Sequence, residues 1–146
     1  MPLASETHDP HGWGLLLAAW VVSLAATLGA IFIGEIMGQA PCLLCWYQRV
    51  FMFPLAIVLA VACFTSDLGA WRYALPLATA GWLVAAYHVL MIADVIPEDI
   101  VRCSSGPSCA GADMTVLGVV PIPLLSLLAF SAIAVFLFLV RKRSFG

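Results

Sequence analysis

The sequence predicts an all-α integral membrane protein: a four-transmembrane-helix bundle with a short surface-lying segment in its second outer loop. Three observations carry this. Of the 146 residues, 64% are hydrophobic and 10% charged, with a mean hydropathy of +1.08. A water-soluble globule of this size cannot bury that much apolar surface. Four long apolar runs, about 13–33, 46–65, 71–93 and 118–140, each approach the ~20 residues that cross a hydrocarbon core as helix. The links between them are short except before the last run, and short links favour antiparallel neighbours in a bundle. Residues 1–146 are therefore expected to form a single membrane domain with no separate soluble unit.

The first run starts at Trp13 with no Lys or Arg before it and is too long for a signal-peptide core. It reads as a retained span. An outer loop, about 34–45, follows; its Gly34 and Gly38 have a small-xxx-small spacing that carries little weight as a packing motif. Pro54, Pro76, Pro121 and Pro123 fall within or at the ends of the remaining runs. Membrane helices accept proline when neighbours satisfy the freed carbonyls, so kinks are expected there rather than span boundaries. The second outer loop, about 94–117, mixes Asp94, Glu98, Asp99, Arg102 and Asp113 with Ile96, Ile100, Val101, Met114, Val116 and Leu117. Part of it is expected to lie along the membrane surface.

Charge placement sets the orientation. Arg72, in the second connection, and Arg141, Lys142 and Arg143, after the last run, put four of the six basic residues on one side. That side is expected to be cytoplasmic. An even number of spans brings the acidic amino terminus (Glu6, Asp9) to the same side and sends both longer loops outside. All four loop-associated cysteines then face the compartment in which disulfides persist.

The chemistry lies in those cysteines. Cys42-Leu43-Leu44-Cys45 follows Pro41 and opens the second run. This suits Cys42 to a helix N-cap and Cys45 to the first turn, where unpaired backbone N–H groups favour a thiolate. Arg49 is four residues beyond Cys45, and on a helix the two share a face, so a guanidinium can sit near the sulfur. A structural disulfide beside a snorkelling arginine is the plainer reading of the same residues. Cys103 and Cys109 flank the turn-forming Ser104-Ser105-Gly106-Pro107-Ser108, which can bring them within bonding distance. Alone they would read as a loop staple. Two exchangeable pairs on one membrane face, one exposed and one at the bilayer edge, form a relay from an aqueous thiol to a lipid-soluble acceptor. A four-thiolate zinc site is the rival use of these residues. The wide spacing of the second pair and the oxidising side weigh against it, and no metal is expected. Cys63 lies 18 residues after Cys45, about 27 Å along a helix, so no disulfide joins them and it reads as a small buried apolar residue. His88, in the third run at a depth similar to Arg49, is either satisfied by a helix neighbour or a hydrogen-bond or proton donor to a cofactor at the outer edge. Trp46, Tyr47, Phe51 and Phe53 serve as interface anchors or as walls for an aromatic ring, and Glu35 as an interfacial acid.

Pro41-Cys42-Leu43-Leu44-Cys45-Trp46-Tyr47-Gln48-Arg49 closely resembles the signature of the bacterial disulfide bond formation protein B family, DsbB and its relative BdbC. Tyr87-His88, the loop cysteines and Ile122-Pro123-Leu124-Leu125-Ser126-Leu127 follow in family order, so the resemblance spans nearly the whole chain. It implies a quinone-dependent thiol oxidase of the bacterial inner membrane. In such a protein a quinone, ubiquinone or menaquinone, oxidises Cys42/Cys45, which oxidise Cys103/Cys109, which reoxidise a soluble DsbA- or BdbD-type thioredoxin-fold oxidase. By the same resemblance Cys103 takes the partner's thiolate, Cys42 exchanges with Cys103, Cys45 faces the quinone, and Arg49 and His88 contact it. The short Cys103–Cys109 spacing is BdbC-like. Two other classes share features: a vitamin K epoxide reductase-like enzyme, whose loop cysteines precede its C-x-x-C, and a membrane scaffold whose disulfides only staple loops and never cycle.

Overall fold

The computed structural model describes residues 10–97, 115–116 and 118–146. Four helices long and apolar enough to cross a membrane account for most of them. They are α1 (Pro10–Ile31), continued by a π turn at Phe32–Ile36; α2 (Leu43–Thr65); α3 (Trp71–Ile92), entered through a 3-10 turn at Leu68–Ala70; and α4 (Ile122–Ser144). The second helical span begins a few residues earlier than its apolar run, because Cys42 caps the helix and the hydrophobic residues only fill it.

Each helix carries one inward stripe at helical spacing. On α2 the inward stripe runs through Leu44, Gln48, Met52, Leu55, Leu59 and Ala62. On the opposite face Val50, Ile57, Val61 and Phe64 are exposed. A helix apolar on both faces has a protein side and a lipid side. On α3 the inward stripe starts with small residues, Ala74, Ala78, Gly81 and Ala85, and continues through His88 to Met91. Small residues let helix axes approach closely where lipid removes the usual hydrophobic drive for association. Phe130 of α4 fills the gap opposite Gly81, at a spot where even a Cβ would overlap the ring. Leu16, Leu55, Leu59, Ile133 and Leu137 complete the main core.

The helices run antiparallel in a closed ring, each packed on its chain neighbours, with α4 returning to α1. Cross-contacts fix this sense. The Trp13 indole at the start of α1 donates to the Cys63 carbonyl near the end of α2 (3.1 Å). The Trp71 ring at the start of α3 meets Phe145, just past the end of α4, at 5.7 Å. Trp82 donates to the Ser131 hydroxyl (2.8 Å), tying α3 to α4. Such interhelical polar contacts contribute only ~0.6 kcal/mol each on average, so the small-residue packing carries more of the association.

The prolines divide into two kinds. Pro54 and Pro76 lie inside α2 and α3 as expected. Pro121 and Pro123 do not kink a span: Pro121 is the N-cap of α4 and Pro123 lies in its first turn, where a missing N–H is no loss. The fourth helix therefore starts at Ile122, and the residues before it form a two-residue antiparallel ladder, Thr115–Val116 against Val120–Pro121. Gly118 takes a left-handed φ of +71° in its turn. Gly34 and Gly38 also differ from a packing pair, since Gly38 lies beyond the helix with φ +68°. The surface-lying segment expected within 94–117, with Cys103 and Cys109, falls mainly outside the described residues.

One end of the bundle gathers base and aromatic. The Arg72 and Arg141 guanidiniums lie 5.9 and 5.2 Å from the Trp71 ring centroid. At the other end, α2 begins beside the last turns of α3, and there the cysteine pair sits.

Candidate functional site

Cys42 is the N-cap of α2, with extended backbone (φ −73°, ψ 172°), and its carbonyl accepts the first helical bond from the Trp46 amide (3.1 Å). Pro41 enforces that entry by disfavouring a helical residue before it. The first-turn amides of α2 have no partner within the helix, which gives this end a partial positive charge beside both sulfurs. The two Sγ atoms are 3.4 Å apart, joined by a hydrogen bond from the Cys42 thiol and not by a disulfide. Cys42 is buried and Cys45 half-buried, so the accessible side of the pair is that of Cys45. Leu44 and Met91 bury the pair from the protein side, with Val84 and Tyr87 packed around them.

His88 meets this pair directly. It is the last small-stripe position of α3 but one, fully buried, with Nε2 3.8 Å from Cys42 Sγ and Nδ1 3.0 Å from Gln48 Nε2. Gln48 is itself buried on the inward face of α2. A glutamine N–H donating to Nδ1 leaves the ring proton on Nε2, aimed at Cys42 sulfur, where it stabilises a thiolate; the glutamine carbonyl turned to the same atom would select the opposite tautomer. Gln48 was absent from the sequence-based site, although its place in the signature and three residues after Cys45 marked it as a polar residue on an otherwise apolar face. What sequence could not supply is that this face meets His88.

Arg49 departs from the simple i+4 picture. Its guanidinium is turned to α1, donating to the Ala30 carbonyl (2.7 Å) and lying 5.5 Å from the Trp46 ring centroid. The last turn of α1 changes from α to π spacing just after Ala30, and Met37 N–H closes onto the Phe32 carbonyl (3.1 Å). Such π turns interrupt the regular ladder and occur frequently at functional sites. Gly34, within the π turn, is what admits the guanidinium: a Cβ there would lie 2.8 Å from Arg49 Nη2. Trp46 and Tyr47 are exposed on the outer face, whereas Phe51 and Phe53 pack partly against the core. Cys63 is buried in the main core, on the stretch of α2 remote from Cys45, as expected of a small apolar residue.

A profile for "Disulfide bond formation protein DsbB" matches residues 13–140. The chain belongs to the DsbB family. It is 56% identical over 139 residues, 93% of this chain and 96% of the relative, to a probable disulfide formation protein of Metapseudomonas resinovorans. To disulfide bond formation protein C of Bacillus subtilis it is 39% identical over 128 residues, 86% of this chain and 91% of that one. A probable disulfide formation protein of Deinococcus radiodurans is 39% identical over 137 residues, 88% of this chain and 89% of the relative. No solved structure matches. As a DsbB-family protein the chain is a multi-pass membrane protein of disulfide bond formation, and the cysteine pair of α2 lies within the matched residues.

Proposed function

We propose that this DsbB-family protein is a membrane thiol:quinone oxidoreductase that reoxidises a soluble DsbA- or BdbD-type thioredoxin-fold oxidase. The observation that carries the reading is the joining of Cys42, Cys45 and the buried His88 within 4.8 Å at one end of the bundle. A pair that only stapled a loop would need no imidazole against its sulfur. A pair that cycles gains from one, because each thiolate that leaves or attacks is stabilised by a nearby donor.

In the proposed cycle the partner's thiolate attacks Cys103 of the Cys103–Cys109 disulfide, Cys109 leaves as thiolate, and the partner's second thiol releases the oxidised partner. Cys103 then attacks Cys42 of the Cys42–Cys45 disulfide and Cys45 leaves. Cys109 attacks Cys103 in turn, re-forming the loop disulfide and leaving Cys42 and Cys45 reduced. Two electrons and two protons have moved from partner to α2 with none left over. A bound quinone supplies the acceptor for both electrons and both protons. The residues present fit such a group: Arg49 offers charged donors, Trp46 and Tyr47 offer exposed ring faces, and Phe32 and Ile36 of the π turn are exposed apolar neighbours on α1. His88 donates from Nε2 to the Cys42 thiolate and Gln48 holds it in that tautomer. The basic end, with Arg72 and Arg141–Arg143, is cytoplasmic in this reading, both termini lie there, and the cysteine end faces the extracytoplasmic side of the bacterial inner membrane.

Purified protein given a reduced thioredoxin-fold partner and either ubiquinone or menaquinone tests the proposal by quinone absorbance. Quinone loss matched one-to-one by partner disulfide, and abolished by Cys45→Ser, is expected. No quinone loss, or loss that persists in Cys45→Ser, overturns it.

A further inference from the structure

We propose that the dithiol form of this site is also a metal trap, in which Cys42 Sγ, Cys45 Sγ and His88 Nε2 take a thiophilic d10 divalent cation of the zinc class and hold the centre reduced. The donor set is two thiols and an imidazole, the chemistry such a cation prefers. The geometry agrees. Bonds of about 2.3 Å to sulfur and 2.0 Å to nitrogen in a tetrahedral site put two sulfurs about 3.8 Å apart and sulfur and nitrogen about 3.5 Å apart. The structure has 3.4 Å between the sulfurs and 3.8 Å from Cys42 Sγ to His88 Nε2. All three ligand atoms lie within 4.8 Å of one another. Shifts of a few tenths of an ångström satisfy the two separations that include Cys42, and an approach of Cys45 Sγ to His88 Nε2 from within 4.8 Å by about 1 Å, the scale of a side-chain rotation, closes the set.

The surroundings of the histidine add a second argument. A metal on Nε2 requires the ring proton on Nδ1 and an acceptor for it, the arrangement usually found behind metal-bound histidines. Gln48 is already 3.0 Å from Nδ1, and its side chain accepts as readily as it donates once the amide is turned over. The same glutamine therefore serves both tautomers: amide nitrogen toward Nδ1 for thiolate stabilisation, carbonyl toward Nδ1 for metal binding. Three protein ligands leave the fourth position open, and it lies on the side of half-buried Cys45, since Cys42 and His88 are enclosed. This ligand set differs from a four-thiolate site: it uses one cysteine pair and a histidine 46 residues away from Cys42.

The binding step is an exchange of protons for a cation. Two thiols lose two protons, two sulfur–metal bonds and one nitrogen–metal bond form, and no electron moves. A disulfide offers no thiolate, so affinity is confined to the reduced state. The regulatory consequence, that the cation stops reoxidation of the pair, rests on the cycling proposed above; the binding itself does not.

The test uses the full chain with Cys103→Ser and Cys109→Ser, in micelles, so that only the α2 pair and Cys63 carry thiols. Cadmium ion alone is titrated into the dithiol and disulfide forms of that one polypeptide, and the sulfur-to-cadmium charge-transfer absorption is followed. One equivalent bound by the dithiol form, competed away by a large excess of zinc ion, and none bound by the disulfide form is the expected result. Gln48→Leu should weaken binding about 10–100-fold, as loss of a histidine's supporting partner does elsewhere, and His88→Ala more. Equal binding by both redox forms, no band in the dithiol form, or unchanged affinity in folded His88→Ala overturns the trap. The redox comparison needs no substitution in the site, so a misfolded variant does not spoil it. Metal-free quinone turnover of the unsubstituted chain, measured alongside, separates the two ideas: turnover with no cadmium band removes the trap alone, and a band with no turnover removes the oxidoreductase reading alone.

Discussion

Arg49 reaches away from its own helix to the Ala30 carbonyl and across Trp46, which is more than an interfacial cation requires in order to snorkel. If snorkelling were its whole use, Arg49→Lys would leave activity unchanged, because charge and reach are kept. With the planar fork of donors in use, lysine is a poor substitute. A hydrogen bond to a charged group contributes ~1.5–3 kcal/mol, so Arg49→Ala should raise the apparent quinone KM about 10–100-fold, with Arg49→Lys between it and the parent. Quinone titration at fixed reduced partner measures this, and unchanged quinone dependence in folded Arg49→Ala would sink the assigned contact. Cys63 provides the contrast. It is buried in the core and its backbone carbonyl, not its sulfur, takes the Trp13 indole hydrogen bond. Cys63→Ala keeps that carbonyl, so turnover should stay within experimental error and stability should fall by about 1 kcal/mol or less. Loss of turnover in the folded variant would mean that a fifth thiol belongs to the relay.

Two glycines separate what elements do for the site from what they do for the bundle. At Gly34 the atoms that an added Cβ would strike are Arg49 Nη2 at 2.8 Å and Nη1 at 3.3 Å, the far end of a flexible side chain. Gly34→Ala should therefore cost little stability while displacing the guanidinium from the π turn, so the quinone KM rises with the melting temperature nearly unchanged. At Gly81 the added Cβ would overlap the Phe130 ring, which is itself almost fully buried. That ring has no room to retreat. Gly81→Ala should destabilise by about 1–3 kcal/mol, the usual cost of overpacking, and a second change, Phe130→Leu, should recover part of it because the two positions touch. Thermal unfolding in micelles reads both; additive effects of the two changes would contradict the close α3–α4 approach.

For the whole molecule, the proposal makes the bundle a rigid frame that holds one cysteine pair and lets the other come to it. Trapping shows whether the pairs exchange directly. With Cys45→Ser and Cys109→Ser together, neither thiol that resolves the mixed species remains, so oxidation should accumulate a Cys42–Cys103 disulfide. Mass spectrometry of protease fragments would find the segment that contains Cys42 joined to the segment that contains Cys103. Cys42 remaining unlinked to Cys103 after oxidation would exclude direct transfer between loop and helix.

Membership of the class was legible from sequence because it depends on sums and short spacings: hydropathy over ~20 residues fixes a span, and a cysteine pair after proline fixes the start of α2 whatever surrounds it. Cys42 as N-cap and the four spans follow directly. The Pro121 and Pro123 start of α4 was equally local, and was missed because an apolar run continues through it. Helix rotation was not encoded in the same way. In water, an amphipathic stripe announces which side of a helix is inward; in lipid both sides are apolar, so Phe64 outward and Leu59 inward look alike in the sequence. Only the packed bundle decides that Gln48, forty residues from His88 along the chain, is its hydrogen-bond partner, that His88 faces Cys42, and that Arg49 turns to α1. Those contacts depend on the azimuth and register of one helix against another, which close packing of small residues on α3 against its neighbours sets and which no spacing within a single helix states.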